Sequence, residues 1–175
     1  MEMKEFYYED GIRVSLFNLD HEAVSFHFHK TVSDMIYCSE GSINIELPEI
    51  KKLYNVKSGN VFQIPPNIKH RFANGEEKGR LSRYILLQIG TFDIEFMKNT
   101  TELQSMLKKT ILESNASTKI YIENRKENIL ALANKFSCNK PEVLTTKENQ
   151  DVITALRIFA KDGVETPYPI SEEKL

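Results

Sequence analysis

Short runs in which apolar and polar residues alternate, with turn-forming residues between them, fill the chain from Ile12 to Gly90. About eight such runs follow one another, and no interval between them has the length or period of a helix. Glycine, proline and asparagine mark the turns, at Glu40-Gly41, Ser58-Gly59, Pro65-Pro66-Asn67 and Asn74-Gly75. Many short strands at regular spacing are typical of a sandwich or barrel, so a mainly β fold is predicted.

After Gly90 the apolar period becomes helical. The predicted elements are helices over 101–113, around 129–136 and from 145 towards 163, with a short strand at 119–122. Thr145 and Glu148 have the spacing of a capping box. We expect a β-barrel domain over residues 1–95 and a small helical C-terminal region over residues 96–175, which dimerises or caps the barrel and ends in a fraying tail.

The balance of charges disfavours several classes of partner. The chain of 175 residues has 23 basic and 25 acidic side chains, whereas a DNA-binding domain is normally basic, so this chain alone is not expected to bind nucleic acid. No apolar run approaches the length of a membrane span or a signal peptide, so we expect no membrane contact and a cytoplasmic location.

Cys38 and Cys138 lie far apart and are predicted to be free thiols, with Cys38 a buried, inert side chain.

Three of the four histidines fall in one pattern with an aspartate. His27 and His29 are two residues apart on one predicted strand, so they share a face, and the turn after them returns the chain at Asp34. The Pro65-Pro66-Asn67 turn then brings in His70 from another strand, and asparagine tolerates the left-handed conformation better than most residues do. Three imidazoles and one carboxylate suit a divalent transition metal.

The same four residues allow two other interpretations. They can bind an organic ligand without a metal, or they can form a polar cluster that only supports the fold; in each case the buried groups must satisfy one another. An adjacent Asp34 favours protonated histidine, so the affinity for a ligand is expected to change between acidic and neutral pH. On the last strand, Arg83, Tyr84 and Gln88 have positions from which they reach the mouth of a pocket, and Gln63 has a position from which it lines one.

The spacing resembles the paired motifs of the cupin superfamily. The first motif is His27-x-His29, four residues, Asp34, six residues and Gly41; the second is Gly59, five residues, Pro65-x-Asn67, two residues, His70, three residues and Asn74. The resemblance implies a small jelly-roll barrel. It departs at Asp34, where metal-binding cupins of this pattern carry the longer Glu, and at Asn67, where a glycine is usual.

Within that superfamily the barrel resembles the N-terminal effector-binding domain of AraC-type transcription regulators. The resemblance rests on Phe28-His29, on Val56 to Phe62, on Ile64 to Phe72 and on Arg83 to Ile89. It implies a small effector inside the barrel and a homodimer formed through the helix at 101–113. The two helix-turn-helix units of such regulators have no counterpart of sufficient length here.

Two functions are therefore predicted, and no catalytic residue is assigned in the first. The preferred one is a domain that senses a small-molecule effector without catalysing a reaction, with a pocket formed by His27, His29, Asp34, Gln63, His70 and Tyr84. The alternative is a metal-dependent cupin enzyme, namely a dioxygenase, isomerase or lyase, in which His27, His29, Asp34 and His70 hold the metal.

Overall fold

The computed structural model describes residues 1–21, 23–98, 117–122 and 124–167. The strands are β1 (Glu2–Glu9), β2 (Ile12–Leu19), β3 (His27–Phe28), β4 (Asp34–Glu40), β5 (Ser42–Leu47), β6 (Lys52–Lys57), β7 (Val61–Ile64), β8 (Arg71–Asn74), β9 (Ser82–Ile89), β10 (Glu95–Phe96), β11 (Ser117–Lys119) and β12 (Glu165–Pro167), and the helices are α1 (Lys126–Cys138) and α2 (Thr146–Phe159). A 3₁₀ turn at Pro48–Ile50 joins β5 to β6.

Two antiparallel sheets form the barrel. The larger has the order β1-β2-β9-β4-β7 and the smaller the order β6-β5-β8. Side chains of both sheets meet in an inner core that includes Ile36, Ile45, Phe62 and Phe72. The short strands β3 and β10 pair with each other beside this core. The predicted mainly β fold with a late helical region is confirmed.

The larger sheet is buried on both faces, which explains why its central strand reads as an almost continuous apolar run. On β9, Tyr84 and Leu86 point into the inner core, whereas Ile85 and Leu87 point to the outer face. The helices α1 and α2 cover that outer face through a second apolar cluster. Because strand residues alternate between faces, the helices fix which face of the sheet encloses the barrel interior.

The helices begin where the sequence places them. Thr145 is the N-cap of α2: its hydroxyl accepts from the backbone N–H of Glu148 at 3.2 Å, and the Glu148 carboxylate accepts from the Thr145 N–H at 2.8 Å. Glu148 also receives the Lys4 ammonium at 2.7 Å, which ties α2 to β1. The predicted helix around 129–136 corresponds to α1.

Other expectations need correction. The predicted fraying from Val164 is wrong for residues 165–167, because β12 pairs with β11 and Thr166 is buried. The strand β1 was not predicted, since it lies at the sheet edge and most of its side chains are exposed. The predicted helix over 101–113 lies outside the described residues, and the division into domains 1–95 and 96–175 stays a prediction. No helix in the described part of the chain is long and apolar enough to cross a membrane.

Candidate metal centre and ligand cavity

Backbone pairing brings the four predicted residues of the cluster together. The main chains of His27 and His70 exchange two hydrogen bonds, of 3.0 and 2.9 Å. The backbone N–H of Asn67 donates to the carbonyl of His29 at 2.7 Å, and Asn67 has a left-handed φ of 67°, which asparagine tolerates. Asp34 opens β4 directly after the turn that follows His29.

The four side chains form a compact, buried group. Each is at most 3% exposed, and one potential ligand atom from each lies within 4.8 Å of the others. Oδ2 of Asp34 lies 2.8 Å from Nε2 of His70, 3.2 Å from Nε2 of His29 and 4.0 Å from Nε2 of His27. The shorter arm of aspartate therefore does reach the imidazoles, because β4 begins at the level of the rings.

All three imidazole rings are oriented by main-chain carbonyl groups. Nδ1 of His27 lies 2.7 Å from the carbonyl oxygen of Ser25, Nδ1 of His29 lies 2.6 Å from that of Asp93, and Nδ1 of His70 lies 2.7 Å from that of Ile68. A carbonyl oxygen only accepts hydrogen bonds, so each Nδ1 carries the proton. In the neutral ring the lone pair is then on Nε2, which is the atom that faces the cluster.

This arrangement leaves unprotonated nitrogen atoms next to carboxylate oxygens, which repel each other unless a cation lies between them. A second proton on His29 or His70 removes this repulsion, and a metal ion bound between the nitrogen and oxygen atoms removes it as well. Histidine ligands in metalloproteins commonly donate their other N–H to a backbone carbonyl, as all three rings do here. By donor set and orientation, the cluster fits a divalent transition metal held by three imidazoles and one carboxylate.

The three titrating groups differ in their response to this environment. Burial, together with the neighbouring His70, lowers the pKa of His27 to about 4, so this ring is neutral. Burial acts in the same direction on His29, but the hydrogen bond and charge of Asp34 outweigh it and raise the pKa of His29 above its usual value. Burial opposes ionisation of Asp34, yet hydrogen bonds from His29 and His70 hold the pKa of its carboxyl far below the usual range.

A chain of polar contacts connects Asp34 to the barrel surface. Nε2 of Gln88 donates to Oδ1 of Asp34 at 2.6 Å, and Oε1 of Gln88 accepts from Nη1 of Arg13 at 2.8 Å. Arg13 in turn donates to Glu5 through Nε at 2.9 Å. Because Arg13 is only a donor, it fixes the Gln88 amide with its NH₂ group towards Asp34. Gln88 was considered only for the mouth of a pocket; its contact with Asp34 was missed.

An aromatic cavity of about 310 Å³ lies against the cluster. His27, His29, Gln88 and Tyr84 contribute to its wall. The remaining wall is largely apolar and is formed by Met1, Met3, Arg13, Phe17, Ala23, Val24, Ser25, Phe72, Leu86, Phe92, Ile94 and Phe96. The guanidinium of Arg13 stacks over the Phe92 ring at 3.9 Å from its centroid.

Gln63 is not part of this cavity. It pairs with Met35, one position from the pair of Asp34 with Ile64, so its side chain points to the opposite face of the sheet. There its amide contacts Ser33 at 3.1 Å and the main chain of Tyr121 at 2.8 Å. The structure thus groups His27, His29, Asp34 and His70, places Tyr84 in the wall of the adjoining cavity, and places Gln63 on the outer face. Arg83, also considered for the mouth, instead binds Asp151 of α2 at 2.9 Å.

Comparison with known proteins identifies the fold. No protein-family model and no curated protein sequence matches the chain. The structure is similar to that of the polyketide cyclase RemF from Streptomyces resistomycificus, with a TM-score of 0.52 and 17% identity, over 63% of this chain and 83% of that one.

Two further solved structures have lower scores. An uncharacterised protein with a double-stranded β-helix domain from Klebsiella pneumoniae gives a TM-score of 0.49 at 12% identity, over 56% of this chain and 81% of that one. A cupin-2 domain protein from Shewanella frigidimarina gives 0.42 at 11% identity, over 50% and 79%. At such identities the likeness to RemF concerns the fold alone, and the two structures with TM-scores below 0.5 carry no argument. The finer resemblance to AraC-type regulators stays a prediction.

Proposed function

We propose that the protein is a metal-dependent enzyme of the cupin type, in which His27, His29, Asp34 and His70 hold a divalent transition metal. The observation that carries the proposal is the orientation of the rings. Three separate main-chain carbonyls place the protons on Nδ1, so that three Nε2 atoms face one buried carboxylate. A cluster that only supported the fold would need no such uniform orientation.

The surroundings of the cluster support catalysis on a small, mainly apolar substrate. The cavity of about 310 Å³ adjoins His27 and His29, so a bound molecule lies next to the proposed metal ligands. When bound, the metal supplies Lewis acidity for a substrate oxygen or a redox centre. The chain itself holds the Asp34 carboxylate through Gln88 and keeps the His27 ring uncharged at neutral pH, with its Nε2 lone pair available.

The fold alone does not choose the reaction, since one fold supports many activities. The polyketide cyclase RemF, on a similar fold, is an enzyme by name, but its likeness concerns the fold. The range of reactions therefore remains that of the sequence prediction: a dioxygenase, an isomerase or a lyase.

The test is the metal content of protein purified without an affinity tag. After removal of bound metal and titration with Mn²⁺, Fe²⁺, Co²⁺, Ni²⁺ or Zn²⁺, we expect one ion per chain for at least one of them. The variant His70→Ala should lose this stoichiometric binding, whereas His21→Ala, whose ring is 75% exposed and outside the cluster, should keep it. A stoichiometry far below one ion per chain for every metal would refute the proposal.

The cavity beside the cluster also favours a second candidate, the sensing of a small effector without turnover. The same residues would then bind the effector, and the chain would act as a dimer with a separate DNA-binding partner. A metabolite screen separates the two: ligand-dependent stabilisation without product supports sensing, and product formation that depends on metal supports the enzyme.

A further inference from the structure

Residues 91–97 form a strap that belongs both to the cavity wall and to the surroundings of the metal cluster. Three side chains of the strap line the cavity: Phe92, Ile94 and Phe96. Within the strap, β10 pairs with β3, and the backbone N–H of Met97 donates to the carbonyl of Phe26 at 2.9 Å. The strap therefore lies alongside the part of the chain that supplies two of the proposed metal ligands.

Asp93 in the strap contacts three consecutive residues of the neighbouring turn. Its main-chain carbonyl accepts from Nδ1 of His29 at 2.6 Å. Its carboxylate accepts from the backbone N–H of Lys30 at 2.7 Å through Oδ2 and from that of Thr31 at 3.0 Å through Oδ1. The Thr31 hydroxyl also lies 2.7 Å from Oδ1. The side chain of Asp93 thus fixes its own carbonyl next to the His29 ring.

This arrangement distinguishes His29 from the other two imidazoles. The rings of His27 and His70 each take their carbonyl partner from two residues earlier in the chain, so local geometry keeps that partner near the ring. The partner of His29 lies 64 positions away in the sequence and must be held by tertiary contacts. The carboxylate of Asp93 supplies those contacts, because it binds the two residues that directly follow His29.

The same strap brings aromatic rings against two of the imidazoles. The Phe92 ring lies 5.8 Å from the His29 ring, and the Phe96 ring lies 5.9 Å from the His27 ring, both measured between centroids. Displacement of the strap from β3 therefore removes these aromatic rings from the cavity wall and the Asp93 carbonyl from His29 together. Closure of the cavity and orientation of His29 are two results of one set of contacts.

We propose that Asp93 is a positioning residue for the metal centre, and that the strap couples closure of the cavity to metal binding. With the strap in place, His29 presents Nε2 to the metal; with the strap displaced, the ring loses its orienting partner and the metal binds more weakly. Because such coupling is reciprocal, bound metal also holds the strap in place. The inference deepens the proposed function and rests on it for the presence of the metal.

The experiment follows two protons of the full chain by NMR. In metal-free wild-type protein, Nδ1–H of His29, assigned by its absence in His29→Gln, should be protected from exchange, and Asp93→Ala should lose that protection. Addition of Zn²⁺ should slow exchange of the Met97 amide at least about tenfold, because loss of a supporting contact to a metal-ligating histidine lowers metal affinity about 10- to 100-fold. In Asp93→Ala the affinity for Zn²⁺ should fall by that factor, and the effect of Zn²⁺ on the Met97 amide should largely disappear.

Two further variants provide the controls. Glu95→Gln removes another carboxylate of the strap, which pairs with Lys30 at 2.6 Å on the exposed surface. Surface pairs contribute little, so its affinity for Zn²⁺ should change less than about twofold. Asp93→Asn keeps one acceptor oxygen for the turn and should lose less affinity than Asp93→Ala.

Two results would overturn the inference: unchanged protection of the His29 proton in Asp93→Ala, or equal losses of affinity in Asp93→Ala and Glu95→Gln. Failure of the proposed function gives a different result. Zn²⁺ then does not bind wild-type protein, whereas the metal-free measurement on His29 still tests the positioning role of Asp93.

Discussion

Asp34 and Gln88 face each other across neighbouring strands, with Nε2 of Gln88 2.6 Å from Oδ1 of Asp34. Nε2 of His29 lies near both oxygens of this carboxylate, 3.1 Å from Oδ1 and 3.2 Å from Oδ2, whereas Nε2 of His70 contacts Oδ2 at 2.8 Å. The hydrogen bond from Gln88 to Oδ1 therefore restricts rotation of the carboxylate and keeps it directed at the rings. Several predictions about the proposed metal centre depend on this restraint.

Replacing Gln88 with leucine should weaken metal binding without removing a ligand. The change Gln88→Leu deletes the donor that orients Asp34, and loss of such a supporting hydrogen bond typically lowers metal affinity about 10- to 100-fold. Competition with a chelator measures the affinity. Gln63→Leu is the matched control, since Gln63 lies on the outer face, and it should bind metal as the wild type does. Equal losses in both variants would contradict the assignment.

Removing the charge of Asp34 should affect both the metal and the proton on His29. Asp34→Asn keeps the size of the side chain but loses the anion, so metal affinity should fall by more than about 100-fold, beyond the loss of a supporting contact. Because the Asp34 charge raises the pKa of His29, that pKa should fall in the variant when it is followed by NMR in metal-free protein. Asp34→Glu retains a carboxylate and should still bind metal. An unchanged His29 titration would show that the two groups are not coupled.

The stability of the metal-free protein should be greatest near the ordinary histidine pKa of 6.5. Burial lowers the pKa of His27 to about 4, so the folded state resists protonation there and stability falls as the pH drops from 6.5. The pKa of His29 is raised, so its stabilising proton is present below 6.5 and is lost as the pH rises through the folded value. Urea denaturation between about pH 5 and 8 measures the loss of stability on the acidic and on the alkaline side of this maximum.

Two variants separate the acidic side of the pH profile of stability from its alkaline side. His27→Gln should flatten the acidic side of the profile, and His29→Gln should flatten the alkaline side. The range avoids the ordinary titration of carboxyl groups, including Glu148, whose pKa is lowered to about 2, against the effect of burial, by Lys4 and the Thr145 N–H. If neither variant changes its side of the profile, these two rings are not the origin of the pH dependence of stability.

The two thiols should differ strongly in reactivity. Cys38 is buried in the inner core, and burial raises the pKa of its thiol to about 12, whereas Cys138 is exposed at the end of α1. Because the thiolate is the reactive form, a disulfide reagent such as DTNB should modify one thiol per folded chain and two per unfolded chain. Cys138→Ser should remove the reaction of the folded protein. Rapid modification of Cys38 in that variant would mean that the core opens readily.

The contact between α1 and the barrel should contribute much of the stability. Phe136 is 4% exposed and packs edge-on against Phe6 and Tyr7 of β1, with centroid distances of 5.7 and 5.9 Å. Phe136→Ala should cost about 3–5 kcal/mol in the free energy of unfolding. Leu130→Ala, on the exposed side of the same helix, should cost less than about 1 kcal/mol. Similar costs at both positions would indicate that the helix is only loosely attached.

The sequence was sufficient to predict the cluster but not its restraints. His27 and His29 share a face by strand alternation, and the turn at Asn67 predicts the return of His70, so local rules place the rings. The contact of Gln88 with Asp34 depends instead on the register of Arg13 opposite Gln88 and Met35 opposite Leu87. Such long-range register cannot be derived from spacing within one strand.

The misplacement of Gln63 has a simpler cause. Once Asp34 is paired with Ile64, alternation sends Gln63 to the outer face with Met35, so knowledge of one strand pair would have corrected the prediction. The strands β1 and β12 were not predicted because they contain few buried apolar residues. Their partners, and not their own pattern, determine that they form.

The orientation of the three imidazoles by main-chain carbonyls has an evolutionary consequence. Every amino acid supplies the same carbonyl group, so the orientation of the rings places no requirement on the side chains of Ser25 and Ile68. Alignments of relatives would show invariant histidines next to variable neighbours. The two positions that prepare these rings for a metal would then leave no trace in residue identity, and only coordinates would reveal them.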